Sequence, residues 1–188
     1  AERRHRAAAA AQAPEEKKQR EAAAAAETKR RRRAAAAAKA PEEKKQREAA
    51  AAAEAERRRR AARDMRSMSL FHACKEGRSD VVQAWLDNGA DVNRAMKDGW
   101  TPLFAACQNG HVDAARLLLD KGAEVERAKE DGATPLFAAC ENGHVDAARL
   151  LLEKGADVHK ATDENRTPLH AASYSGHIDV VRLLLANG

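Results

Sequence analysis

Cysteine and histidine are the residues whose types and spacing could do chemistry here. Cys107 and His111 lie four apart, as do Cys140 and His144, and Cys74, Cys107 and Cys140 follow one another at intervals of 33. A thiolate and an imidazole so placed could share a zinc ion, but zinc needs four ligands converging on one point. Each pair straddles a glycine that should end a helix, Gly110 or Gly143, and the two pairs stand one period apart, too far for one ion. The same residue types could form a nucleophile with its base. His72 and Cys74 are near neighbours, yet nothing orients a base, and the chain contains no G-x-S-x-G, no glycine-rich phosphate loop and no H-E-x-x-H. The thiols read instead as small apolar core residues in a reducing compartment. No catalytic residue, metal or cofactor is therefore assigned, and an enzyme is not expected.

Clustered positive charge is the other candidate chemistry. Residues 1–64 hold 20 Lys+Arg against 11 Asp+Glu, a net +9, and residues 65–188 carry a net −4. The runs Arg30, Arg31, Arg32, Arg33 and Arg57, Arg58, Arg59, Arg60 could neutralise phosphates or serve as a nuclear import signal. No aromatic residue lies in this arm to stack on bases, and interleaved glutamates dilute the field. On one continuous helix the two runs would stand about 40 Å apart, on opposite faces. A solvated charged helix is the plainer reading.

The elements that carry these residues are two unrelated repeats. In the arm, APEEKKQREAAAAAE occurs at 13–27 and again at 40–54, and Ala supplies 26 of the first 64 residues. Ala, Glu, Lys, Arg and Gln are strong helix formers, and Pro14 and Pro41, each followed by Glu-Glu, look like helix starts. Three helices are predicted, over about 2–12, 14–39 and 41–63. They have no stripe of large apolar residues, so a coiled coil is disfavoured, and disorder of this low-complexity segment is the alternative.

The second repeat is longer. Gly99–Asp131 and Gly132–Glu164 are identical at 24 of 33 positions. Thr101 is a helix N-cap candidate with Pro102 at the first helical position. Leu103–Cys107 then make a short helix of small residues, stopped at Gly110. Asp113 opens a second helix rich in Ala and Leu, ended by Gly122, and Glu124–Ala133 reads as a polar turn or hairpin finger around Val125. Helices this short do not stand alone in water, but stacked on equivalent neighbours they bury a continuous core.

The signatures T-P-L-F-A-A-C, N-G-H-V-D, L-L-L and G-A-x-V, recurring in phase, resemble the ankyrin repeat. The resemblance covers about two-thirds of the chain. It implies an all-α ankyrin-repeat solenoid of about four helix-turn-helix units, 66–98, 99–131, 132–164 and a shorter 165–188, preceded by the helical arm 1–64. The first unit departs from the pattern: Met68-Ser69 replaces Thr-Pro, Arg78 replaces the G-H histidine, and Trp85 takes a Leu position. In the fourth, Asn165 replaces the leading Gly. The resemblance assigns the G-H histidines a structural bond to loop backbone. It assigns His170 of T-P-L-H a hydrogen bond to an adjacent repeat, for which Phe104 and Phe137 must substitute apolar packing.

The resemblance further implies a scaffold or adaptor that binds a protein partner along its concave surface, built from finger tips and first helices. Carried over, that surface comprises Lys75 and Glu76 in the first repeat, and Lys97, Asp98, Trp100, Gln108 and Asn109 in the second. The third contributes Glu130, Asp131, Ala133, Glu141 and Asn142, and the fourth Asp163, Glu164, Arg166, Tyr174 and Ser175. Trp100, Arg166 and Tyr174 are residue types that dominate interface hot spots. For Trp100, packing on its own finger is the alternative. The different-class reading is an arm that binds nucleic acid or acidic surfaces with the repeats as passenger, and a third is the arm as a spacer.

No stretch is long and apolar enough to span a membrane. No secretory signal is visible, since residues 1–64 contain no Leu, Ile, Val, Met or aromatic residue. A cytoplasmic location is expected, with the nucleus as the alternative. The chain starts at Ala1 and stops just after a second helix, so it is expected to be a piece of a longer protein. Val180, Val181, Leu183, Leu184 and Leu185 are expected to form an uncovered apolar face, through which an otherwise monomeric chain would associate.

Overall fold

The computed structural model describes Glu27, Glu42 and residues 44–65 and 67–188. The helix predicted over 2–12 and, apart from Glu27, that over 14–39, and with them Arg30–Arg33, lie outside the described residues. Where a third arm helix is predicted, the chain is helical from 44 to 64 (α1). Its side chains are exposed throughout 44–60, and the i,i+4 pair Lys44–Glu48 at 3.8 Å is too solvated to contribute much. The chain divides into two compact units, Ala1–Ala55 and Glu56–Gly188.

The second unit is built from pairs of short antiparallel helices. The first helices are α2 (Leu70–Lys75), α4 (Pro102–Gln108), α6 (Pro135–Glu141) and α8 (Pro168–Tyr174). The second helices are α3 (Ser79–Asp87), α5 (Val112–Asp120), α7 (Val145–Glu153) and α9 (Ile178–Leu185). Each first helix packs on its own second helix and on the first helix of the next pair, and the second helices stack likewise. No strand occurs among the described residues. The result is a two-layered helical solenoid, as the sequence led us to expect.

Local chemistry explains where the first helices begin. Thr101 and Thr134 hold extended backbone, and each hydroxyl accepts from the N–H three residues on, Phe104 and Phe137, at 3.1 Å. Pro102 and Pro135 follow at the first helical position, where no N–H is missed. In the first repeat the cap moves by one residue. Ser69, not Met68, accepts from the His72 N–H at 3.4 Å, and α2 starts at Leu70.

The core runs between the two helical layers through all four repeats. It is made of small residues of the first helices (Ala73, Cys74, Ala106, Cys107, Ala139, Cys140) against Val81, Val82, Leu118, Leu151 and Leu184 of the second. The small side chains let the layers approach closely. Ala61 of α1 belongs to the same core at 2 % exposure, so the last turns of the arm helix join the repeats. Beside it, Asp64 forms an ion pair with Arg78 at 2.6 Å, and the Trp85 indole N–H donates to the Met68 carbonyl at 2.9 Å. Arg78 replaces the histidine of later repeats and makes its backward contact to the arm helix by charge.

Two expectations need correction. Val180 and Leu184 are not part of an open C-terminal face: they point between the layers and are buried at 0 % and 2 %. Val181 and Leu183 are half-buried, and Ile178 and Leu185, each 65 % exposed, are what the last helix leaves uncovered. Their register mates Val145 and Leu152 are half-buried, because another repeat follows them. His170 does not bond to a neighbouring repeat either. Its Nδ1 accepts from the Thr167 N–H of its own repeat at 3.2 Å, closing a capping box, because three residues after an N-cap the ring is already within reach of that amide.

Candidate functional site

The finger loops set the geometry of the candidate surface. In each, the backbone folds back on itself: Met96 N–H donates to Trp100 O at 2.8 Å, Lys129 to Ala133 at 2.9 Å, Thr162 to Arg166 at 3.0 Å. The reversal needs a left-handed residue, supplied by Gly99, by Gly132 and, with φ 59, by Asn165, a residue that tolerates this region better than most. Successive fingers are bonded to each other, Glu130 N–H to Asp98 O at 3.2 Å and Asp163 N–H to Asp131 O at 3.1 Å. Side chains at the tips are therefore held in register from repeat to repeat.

Beneath the fingers lies a second apolar cluster, distinct from the main core. Phe104, Ala133, Phe137, Ala138 and Ala171 are buried in it, and half-buried Trp100 packs against it. Trp100 makes edge-to-face contacts with Phe104 at 5.0 Å and Phe71 at 6.4 Å between centroids. The Lys129 ammonium sits 4.8 Å from the Trp100 ring centre and 5.4 Å from that of Phe104, and pairs with Asp131 at 3.0 Å. Arg166 repeats the arrangement one step on: its guanidinium lies 5.3 Å from the Phe137 ring centre and 3.3 Å from Glu141 Oε1. Phe71, Phe104 and Phe137 recur at intervals of 33, a signal that could have marked this row in advance. Nothing in the sequence marked Lys129.

Most of the candidate residues occupy this face with their side chains in solvent. Lys75, Glu76, Lys97, Asp98, Asn109, Glu130, Asp131, Asn142, Asp163, Glu164, Tyr174 and Ser175 are exposed, and Trp100, Gln108, Glu141 and Arg166 are half-buried. Ala133 is not a surface position, being 4 % exposed in the aromatic cluster. Several candidates also have internal duties. The Asn109 and Asn142 amides donate to Ala105 O and Ala138 O at 2.8 and 2.9 Å, capping the ends of α4 and α6. Asp131 accepts from the Ala133 N–H at 3.1 Å. Partial desolvation works against ionisation there, but Lys129 and that amide outweigh it and hold the carboxyl below its ordinary range. Tyr174, 92 % exposed, touches no other ring.

The residues that suggested zinc or nucleophilic chemistry are engaged elsewhere. The Nε2–H of His111, His144 and His177 donates to the carbonyls of Lys75, Gln108 and Glu141 at 3.0–3.1 Å, each in the preceding repeat. Cys74, Cys107 and Cys140 are free thiols at 0 % exposure. Burial pushes Cys74 and Cys140 up to about 12 and raises Cys107 as well. Thiol labelling at pH 8 should accordingly proceed only through opening of the repeats, slowly in buffer and completely in denaturant. Rapid modification of all three in native protein would contradict this packing.

In the arm, Arg57–Arg60 are exposed on α1. No helix among the described residues is long and apolar enough to cross a membrane.

Comparison with known families gives a match to the model described as ankyrin repeats (3 copies), over residues 70–162 and 126–188. Comparison with curated proteins gives no match.

Proposed function

Since this chain belongs to the ankyrin-repeat family, we infer that it works by holding another protein and not by catalysing a reaction. Ankyrin repeats are in general protein–protein interaction modules, and their partners engage surfaces formed by repeated elements in register. The partner is placed on the face made by the finger tips and first helices, the concave surface of the family. The observation that carries this reading is the half-buried Trp100, backed by Phe71 and Phe104 and bordered by Lys129. A rigid aromatic anchor of this kind, desolvated on one side only, is what hot spots are made of. The three reduced thiols suit a cytoplasmic location.

Trp100→Ala is expected to weaken partner binding by about 2 kcal/mol, roughly thirtyfold. It should also lower stability by about 1 kcal/mol, because the edge-to-face contacts with Phe71 and Phe104 go with it. Lys121→Ala and Lys154→Ala are the controls. Those lysines bridge the ends of second helices, to Asp87 at 3.7 Å and Asp120 at 3.0 Å, and are exposed. Affinity should be measured by titration calorimetry with a partner captured by the whole chain, and stability by urea unfolding. If Trp100→Ala leaves affinity unchanged while substitutions of Arg57–Arg60 abolish it, the basic arm carries the binding.

A further inference from the structure

The finger and first-helix face has a chemistry that selects among partners. We propose that its occupant is an extended, Lys/Arg-rich peptide segment carrying one large apolar side chain. The proposal rests on the placement of the binding site given above and adds the class of partner. Its apolar half is the half-buried pair Phe71 and Trp100, 6.4 Å between ring centroids, beside Met96, 48 % exposed, whose backbone N–H donates to the Trp100 carbonyl. This patch is continuous with the buried Phe104–Phe137 cluster, so an apolar side chain laid on it meets a floor that is already ordered.

Charge decides what flanks that side chain. The tips of the three fingers carry Lys97, Asp98, Glu130, Asp131, Asp163 and Glu164, all exposed. Asp98, Glu130, Asp163 and Glu164 have no ion-pair partner among the described residues. The two cations nearest the aromatic row do not offset them, because Lys129 is spent on Asp131 and Arg166 on Glu141. An acidic segment would meet like charge at the second and third fingers, while at the first Lys97 stands beside Asp98, and a neutral segment would leave the carboxylates uncompensated near a low-dielectric patch. A basic segment gains most at the second and third fingers.

Spacing supports the extended form. Finger-to-finger hydrogen bonds hold the carboxylates in register, and packed neighbouring helices stand about 8–10 Å apart. An extended chain rises about 3.3 Å per residue, so a cation at every third residue meets successive fingers.

The probe is a labelled twelve-residue peptide with Lys at every third position and one central Leu, and a second in which Gln replaces each Lys. Binding to the whole chain is read by fluorescence anisotropy at low and physiological salt. The variant combines Asp98→Asn, Glu130→Gln, Asp163→Asn and Glu164→Gln. These side chains are exposed and none caps a helix, so the fold is kept. A control combines Asp113→Asn, Asp146→Asn and Glu153→Gln on the second helices. The expected result is that the Lys peptide binds, loses about tenfold in affinity on the finger variant and on adding salt, keeps it on the control, and exceeds the Gln peptide. Equal binding of the two peptides, an unchanged finger variant, or an equal loss on the control overturns the proposal. If the charge changes do nothing while Trp100→Ala still weakens a protein partner, the binding face stands and its preference for a basic segment does not.

Discussion

Gly110→Ala should cost this protein about 3 kcal/mol or more of stability, although it adds a single methyl group. Two effects combine. Gly110 has φ 71, and a left-handed residue with a Cβ costs about 1–2 kcal/mol. The new Cβ would also lie 2.5 Å from His144 Nδ1 and 2.8 Å from Cε1. In the second to fourth repeats the imidazole packs against the glycine of the repeat before it, so here it must leave. With it goes the His144–Gln108 hydrogen bond of 3.0 Å, worth about 1 kcal/mol, and the local packing of two repeats. Gly176 supplies the control. It occupies the same register with φ 75, but nothing lies within 4 Å of its would-be Cβ. Gly176→Ala should therefore show the backbone cost alone. Adding His144→Ala to Gly110→Ala should restore part of the loss by vacating the space. Urea midpoints of the three variants decide the matter: if Gly110→Ala costs no more than Gly176→Ala, the ring is not what the glycine accommodates.

Removing residues 1–65 should destabilise the repeats by about 2–3 kcal/mol, whereas removing 1–55 should change them by less than about 0.5 kcal/mol. The difference lies in the last turns of α1. Ala61 is 2 % exposed in the repeat core, and its loss uncovers the first repeat. Asp64 is bonded to Arg78 at 2.6 Å, a charge-assisted contact of about 1.5–3 kcal/mol in partly shielded surroundings. Arg78 is left with Asp80 alone, at 3.2 Å. The same cluster sets a pH dependence. The Arg78 hydrogen bond, acting against partial desolvation, holds the Asp80 carboxyl below its ordinary value near 3.8. A carboxyl depressed in the folded state stabilises fully above its unfolded value, and that contribution is lost as pH falls through the folded one. Melts between pH 7 and pH 2 should show the first repeat loosening in the acid limb, and Asp80→Asn should flatten that limb. Melting curves of 56–188 and 66–188 that coincide would mean that α1 is not a cap.

Both expectations come from contacts between elements that the sequence places in different units, which is where legibility ends. The order of helices, their caps at Thr101 and Thr134, the glycines that stop them and the inward cysteines could all be read from residues three or four apart. Capping, proline placement and glycine conformation act within one turn of backbone, so a single repeat carries the whole instruction. Family and fold class followed from the same 33-residue recurrence.

What stacks on what is a different matter. Ala61 is one alanine among many in a low-complexity helix, and only the neighbour it meets distinguishes it from the others. Arg78 looks like a broken histidine position until Asp64 is beside it. His170 bonds within its own repeat, although its type suggested a contact across repeats. Lys129 acquires a place only where the finger at the end of its repeat carries it back over two rings near the start of the same repeat. On α9, apolar residues at nearly every position leave the inward face undetermined by composition. The packing of the helix on α7 and α8 buries Val180 and Leu184 and leaves Ile178 and Leu185 exposed. Sequence determined each repeat because local backbone chemistry is complete within it. The tertiary structure alone decided the surface, because contacts between residues about 33 apart depend on how whole repeats are set against one another.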